Sequence, residues 1–138
     1  MKPETITLAR YRITRSEEAL AEGEDLLAKQ RNAGAVTRFY YAAFHSARAL
    51  LAVKGVDSAR HSGLIHLFQE HYVRYGPMPA ETARALPRAY EKRQNADYTD
   101  FIQVTPEDAQ RVAQEVRLFV EECMHLLEQL LGQAEQAP

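Results

Sequence analysis

The stretch AVTRFYYAAFHSARALLAVKG, residues 35–55, decides the fold. Its apolar residues Val36, Phe39, Tyr40, Ala43, Phe44, Ala47, Leu50 and Leu51 recur at i, i+3, i+4 and i+7. That spacing is one face of a helix, so it predicts a helix over about Ala35–Lys54, with Gly55 where a helix-ending glycine belongs. The opposite side is unusual. It carries Arg38, Tyr41, His45 and Arg48 among the small residues Ala42, Ala49 and Ala52. Planar, hydrogen-bonding groups beside alanines fit two readings. One is a central helix that touches neighbours on two sides; the other is a subunit interface or a polar cleft, where Tyr and Arg are favoured.

Working outward, the same period recurs on both sides of this helix. A first helix is expected over about Glu4–Arg31, with Ile13, Ala19, Leu20, Gly23, Leu26 and Leu27 inward and a break at Asn32–Gly34. A third covers about His61–Tyr75, with Leu64, Ile65, Phe68, Tyr72 and Tyr75 inward, and the run Gly-Pro-Met-Pro ends it. A fourth covers about Ala80–Asp97, where Pro87 either bends the helix or marks its true start. A fifth opens at Thr105 as N-cap, with Pro106 in first position and acids in the first turn; Val112, Val116, Phe119, Val120, Cys123, Leu127 and Leu130 form its inner face. No useful segment alternates with period two. The expected architecture is all-α: an up-and-down antiparallel bundle of four long helices plus one shorter helix, as one domain over residues 1–131 with a frayed tail over 132–138.

Composition narrows the function classes. The chain has 138 residues, 46% hydrophobic and 26% charged, enough for one core. A formal net charge of −2 gives no global basic character, so any nucleic-acid contact would be a local patch. The single cysteine, Cys123, excludes an internal disulfide and an all-cysteine zinc site, and it fits a reducing compartment. No apolar run approaches the roughly 20 residues of a membrane span, and MKPETITLARYR lacks the apolar centre of a signal peptide. The expectation is a cytoplasmic protein without membrane contact.

The chemistry-bearing residues give few converging patterns. His61, His66 and His71 recur every five residues, so at about 100° per residue successive imidazoles stand about 140° apart and cannot share a metal. There is no glycine-rich phosphate loop and no serine in a nucleophile elbow, so neither a metal nor a cofactor is expected. The row Arg84, Arg88 and Lys92 fits a phosphate-contacting stripe or, more simply, a solvated face. One stretch stands out: EKRQNADYTDF, residues 91–101. Leu86, Tyr90, Arg93 and Asp97 share one helical stripe, so an apolar face ends in an ion pair one turn long. A partly buried pair is a poor stabiliser but a good orienting unit, with Asp97 holding a guanidinium whose free edge faces a partner or a phosphate. A salt bridge at the margin of the core is the simpler alternative.

Taken together, TRFYYAAFHSARALLAVKG, HSGLIHLFQEHYV and EKRQNADY resemble the HEPN superfamily (higher eukaryotes and prokaryotes nucleotide-binding), and most of all its small stand-alone prokaryotic members. The similarity runs from about Ile6 to Leu127. The resemblance implies a helical bundle that forms a symmetric homodimer. It also implies a minimal nucleotidyltransferase as partner, in a pair of toxin–antitoxin type. Many members are metal-independent endoribonucleases that place an Arg and, after four to six intervening residues, a His at the dimer cleft. Here Arg93 matches the arginine, but Tyr98, Thr99 and Asp100 occupy the histidine spacings. The pairs Arg60–His66 and Arg38–His45 have the spacing but lie outside the corresponding helix. Some relatives are modified by the nucleotidyltransferase on a tyrosine after the motif, which corresponds to Tyr98.

Metal-free RNA cleavage needs groups that move protons near neutral pH, and imidazole suits the task. The missing histidine therefore favours binding over cleavage. The leading expectation is a dimeric protein that binds nucleotide or RNA phosphate through Arg93, with Asp97 and Tyr98 orienting and Arg38, Tyr41, His45 and His61 assisting. The alternatives are an active ribonuclease toxin with Arg93 and either His61 or His45 as catalytic pair, and a non-catalytic helical adaptor.

Overall fold

The structure, a computed structural model, describes residues 1–136. Its helices, in chain order, are α1 (Pro3–Ala28), α2 (Asn32–Val53), α3 (His61–Phe68), α4 (Ala80–Ala83), α5 (Ala85–Tyr98) and α6 (Pro106–Gln136). A π-helical extension of α3 covers Gln69–Arg74. No strand occurs among the described residues, and the expected all-α bundle is what forms.

Side-chain contacts fix the helix directions. Ser16 Oγ donates to the Ala42 carbonyl at 2.7 Å, and Gly23 lies against Phe39, so α1 and α2 are antiparallel. Arg88–Glu115 and Lys92–Asp108 set α5 antiparallel to α6. Arg117–Glu24 and Arg10–Glu128 set α1 antiparallel to α6. The four long helices therefore alternate in direction along the chain, with α3 and α4 bridging α2 to α5. Helix α2 lies at the centre and packs against α1, α3, α5 and α6. Its Val36, Phe39, Tyr40, Leu50 and Leu51 are fully buried, as are Phe119, Leu127 and Leu131 of α6. Each such side chain contributes roughly 1.5–3 kcal/mol of burial.

The helix ends follow local chemistry. Gly55 takes φ +72°, while its N–H and that of Val56 reach back to the carbonyls of Ala52 and Leu51, so α2 ends as the glycine predicts. Thr105 caps α6: its Oγ1 accepts the Asp108 N–H at 3.0 Å, and Pro106 is the first helical residue. Pro87 lies in the first turn of α5, after a break at Arg84, so it marks a late start rather than a bend. Between α1 and α2 the break comes earlier than expected. Gln30, at φ +59°, takes the left-handed position usually given to glycine, and Asn32–Gly34 already belong to α2.

Three inward assignments shift. The buried line of α1 is Ala9, Arg12, Ser16, Ala19 and Gly23, while Ile13, Leu20, Leu26 and Leu27 are only partly buried. Small residues let α1 approach α2 closely: a Cβ on Gly23 would sit 3.0 Å from Phe39 Cδ1. Tyr75 is 77% exposed, because the π-helical widening rotates the stripe away after Tyr72, whose hydroxyl bonds the Leu50 carbonyl. In α6, Leu131 is fully buried where Leu130 only packs at the edge. Helix α6 runs on through Gln136, past Leu131, and residues 137–138 of the expected tail lie outside the described residues.

Candidate functional site

The polar back of α2, the start of α3 and the end of α5 meet around a cluster of rings. Tyr40, Tyr41, Phe44 and His45 come from α2, His61 opens α3, and Tyr90 comes from α5. His61 stacks on Tyr90 with centroids 5.8 Å apart and lies 4.8 Å from Phe44. Tyr41 is in edge contact with Tyr40, Phe44 and His61, and its ring lies 6.0 Å from His45. Tyr40 approaches Tyr90 at 5.6 Å. Ring pairs in this range hold one another in place, so the cluster is a rigid platform rather than a loose surface.

Arginines surround the platform. The Arg93 guanidinium lies 5.2 Å from the centre of the Tyr41 ring and 5.8 Å from that of Tyr40. Arg38 lies 5.1 Å from the Tyr41 centroid and Arg48 5.7 Å from that of Phe44. The side chain of Arg93 is only 14% exposed, and its Nε stands 3.2 Å from Asp97 Oδ2. The N–H does not point at that oxygen, so Nε is buried without a hydrogen bond despite the short distance. A buried donor without an acceptor costs roughly 1–3 kcal/mol. A small turn of Arg93 toward the cleft would let a ligand reach that N–H.

His61 is fixed on its other side as well. Its Nδ1 is 2.6 Å from the Tyr40 hydroxyl. Burial, and then the nearby Arg93, hold the imidazole below its ordinary pKa, while burial raises that of Tyr40. His61 is therefore neutral and Tyr40 keeps its proton near pH 7. His45 is pulled further down, to about 4, by burial and then by Arg15, Arg48, Arg38 and Arg12. Four arginines thus add to burial at His45 and make its surroundings locally positive, although the chain as a whole carries −2. Arg38 has no carboxylate partner among the described residues.

The connection that delivers His61 is itself clamped. Asp57 receives Arg48 through Nε at 3.1 Å and Nη2 at 2.6 Å, and Arg12 Nη2 at 3.2 Å. Arg12, 9% exposed, also donates to the Arg48 carbonyl. Hydrogen bonds from Arg48 hold the Asp57 carboxyl below the usual range, and burial lowers the pKa of Arg12. The clamp ties α1 and α2 to the segment just before α3, beside a hollow lined by Phe44, Arg48, Asp57, Ser58 and Ala59.

Of the residues singled out from sequence, the structure brings Arg93, Arg38, Tyr41, His45 and His61 into one cluster, with Asp97 at ion-pair distance. Tyr98 stands apart: it is 71% exposed and makes no hydrogen bond or ring contact among the described residues. Sequence reasoning missed Tyr40, Phe44 and Tyr90 as site rings, and Arg12 and Asp57 as the clamp. Tyr40 sat in the apolar stripe, and only its hydroxyl betrays a second role, since a buried phenol seeks a partner. The row Arg84, Arg88 and Lys92 is paired outward with Glu81, Glu115 and Asp108, which fits the solvated face. Among the described residues no group of His, Cys, Asp and Glu can hold a metal, and no helix is long and apolar enough to cross a membrane.

Comparison with known proteins finds one family model and several relatives. The family model for the HEPN domain matches residues 9–130. A protein of Methanocaldococcus jannaschii described as a putative toxin is 34% identical over 116 residues, 84% of this chain and 86% of the relative. A UPF0332 protein of Thermotoga maritima is 30% identical over 84% of this chain and 88% of its own length. A second putative toxin of M. jannaschii is 29% identical over 78% of this chain and 74% of its own.

Proposed function

The chain belongs to the HEPN domain family, and from that premise we propose that it is a toxin-type HEPN protein that binds RNA or nucleotide phosphate at the ring cluster. The observation that carries this reading is Arg93: a largely enclosed guanidinium set against two tyrosine rings, with its Nε–H unbonded. A planar fork on aromatic rings is suited to phosphate and to the face of a base. Arg38 and His61 stand at the same rings, and Asp97 limits how far Arg93 can swing. The resemblance adds a second copy of the chain and a nucleotidyltransferase as partners, the latter in keeping with relatives described as putative toxins. Exposed Tyr98 is accessible to such a partner.

The test is fluorescence anisotropy with a short single-stranded RNA. Wild type should bind at micromolar concentration, and Arg93→Ala should weaken binding at least about tenfold, the loss of one charge-assisted contact. No binding by wild type, or equal binding by the variant, overturns the reading. A binding assay with the product of the neighbouring reading frame checks the partnership separately.

A second reading draws on the placement of His61. Its imidazole, contributed by α3, shares the Tyr40 and Tyr41 rings with Arg93, which supports it as a stand-in for the histidine missing at positions 98–100. Metal-independent RNA cleavage by Arg93 and His61 would follow if His61 acted as a base. Growth arrest on expression, lost in both Arg93→Ala and His61→Ala, would support it; an inert wild type removes it.

A further inference from the structure

We propose that Tyr40 is a positioning residue that fixes the tautomer of His61: its hydroxyl donates to Nδ1, leaving a proton on Nε2, so that His61 presents a neutral N–H donor to a phosphate rather than a base to a 2′-hydroxyl. The ligand assignment rests on the function proposed above; the tautomer does not.

The argument starts from geometry. The O···N distance of 2.6 Å is that of a strong hydrogen bond, and either group can supply the proton. A phenol is a good donor and a poor acceptor, whereas an unprotonated imidazole nitrogen is a good acceptor. The O–H···Nδ1 arrangement therefore wins, and the bond at one ring nitrogen sets the state of the other. Tyr40 is fully buried, and its ring is gripped by Tyr41, Phe44 and Tyr90, so the phenol cannot rotate away. His61 Nε2 has no partner among the described residues. It is also not among the buried unbonded atoms, so it reaches solvent. The groups facing the imidazole are Tyr40, Tyr41 and Phe44 of α2 and Tyr90 and Arg93 of α5. Arg93 is the charged one among these, and it disfavours the imidazolium. A hydrogen bond donated to Nδ1 also favours the neutral ring. Cation, phenol and burial thus act in one direction, and two donors of different charge, the Arg93 guanidinium and the His61 Nε2–H, stand at one edge of the platform. To serve as a base at Nε2, the ring would have to move its proton to Nδ1 and reverse the Tyr40 bond.

The test is a long-range ¹H–¹⁵N correlation spectrum of the ¹⁵N-labelled full chain at pH 7, with His61 assigned by its loss in His61→Gln. Nδ1 should appear unprotonated and Nε2 protonated. In Tyr40→Phe, which keeps the ring, both tautomers should appear, the His61 pKa should rise, and affinity for the single-stranded RNA should fall about threefold or more with Arg93 intact. A wild-type ring protonated on Nδ1, or one charged at pH 7, overturns the proposal. So does a Tyr40→Phe spectrum identical to wild type. The wild-type spectrum decides the tautomer even if Tyr40→Phe folds poorly. If the tautomer is as stated but RNA does not bind, the functional reading falls and the assignment of Tyr40 stands. If RNA binds and the tautomer is reversed, the assignment falls alone and His61 regains its claim as a base.

Discussion

Two basic regions of the molecule hold similar numbers of cations and have opposite characters. On one side of α5, Arg88, Lys92 and Arg111 line a groove of about 400 Å³ against α6. Each is matched by an acid: Arg88 by Glu115 at 2.7 Å, Lys92 by Asp108 at 3.3 Å, Arg111 by Asp108 at 3.8 Å. On the other side, Arg12, Arg38, Arg48 and Arg93 gather around Tyr41, His45 and His61. The carboxylates paired there are Asp57 and Asp97. Charge alone does not distinguish a site from a solvated face. What distinguishes them is how many cations are left uncompensated, how far they are buried, and whether rings hold them still.

The comparison is easiest to break at the clamp. Asp57→Ala removes the acceptor from both Arg12 and Arg48 and leaves Arg12 nearly enclosed beside a like charge. Losing one partner of a fully buried pair costs 3–5 kcal/mol; because the Asp57 carboxylate is partly exposed, the expected cost is about 2 kcal/mol. Urea denaturation measures it, and loss of the His61–Tyr90 ring contact, read from the chemical shifts of both residues, should accompany it. A cost under about 0.5 kcal/mol would mean that the clamp is an ordinary surface bridge. Next in size is the contrast between the two arginine environments. Arg93→Met keeps volume while removing the fork, and should lower RNA affinity about tenfold with the fold intact. Arg88→Ala should change affinity less than twofold. Equal losses would make binding a matter of net charge and erase the distinction.

Much of this contrast was legible in the amino-acid order, and the reasons for the exceptions are physical. The period of α2 and the Thr105–Pro106 start of α6 are local signals, and they set the bundle. The stripe Leu86, Tyr90, Arg93, Asp97 pointed the arginine inward, since helical spacing alone determines which residues share a face. The buried line of α1 is only partly legible: Ala19 and Gly23 fall on the expected inner face, but Ala9 and Ser16 are too small to stand out by hydrophobicity, and a charged Arg12 does not announce its burial. The role of Tyr40 was hidden because periodicity reports where a ring goes and not what its hydroxyl finds. His61 gains its place from Asp57, Arg12 and Arg48, contacts made across the chain, which no local pattern encodes. The pairing of the outer cations depends likewise on acids carried by α6.

The pH dependence of stability sharpens the same comparison with a smaller effect. His45 has a folded pKa of about 4 against an ordinary value near 6.5. Above about pH 6.5 the ring is neutral folded and unfolded, so it has no influence on stability. As pH falls toward 4 the unfolded chain takes up the proton and the folded chain does not, so stability is lost across that window. His61, lowered in the same direction, adds to the loss. Allowing for the solvent exposure of His45, the expected loss is on the order of 1 kcal/mol, and His45→Gln should flatten the curve between pH 6.5 and 4. Asp57, whose folded pKa is depressed, contributes stability above its unfolded pKa and loses it only at lower pH, so the two effects separate along the axis. A wild-type curve that stays level down to pH 4 would mean that neither burial nor the surrounding arginines depress His45 in the folded chain.

The smallest effect belongs to the outer groove. Lys92→Ala removes one partly exposed bridge to Asp108, which keeps its contacts to Thr105 and Arg111. Exposed pairs of this kind contribute little because water solvates both ions nearly as well as they solvate each other. The expected change in stability is below about 0.5 kcal/mol by urea denaturation and should shrink further in 1 M salt. Thr105→Ala, by contrast, removes the α6 cap and should cost about 1 kcal/mol, independent of salt. A Lys92→Ala cost as large as that of the cap would show that the groove cations are held as firmly as those at the rings. Firmness would then no longer mark the ring cluster as the site, and only the unbonded Arg93 Nε would still set it apart.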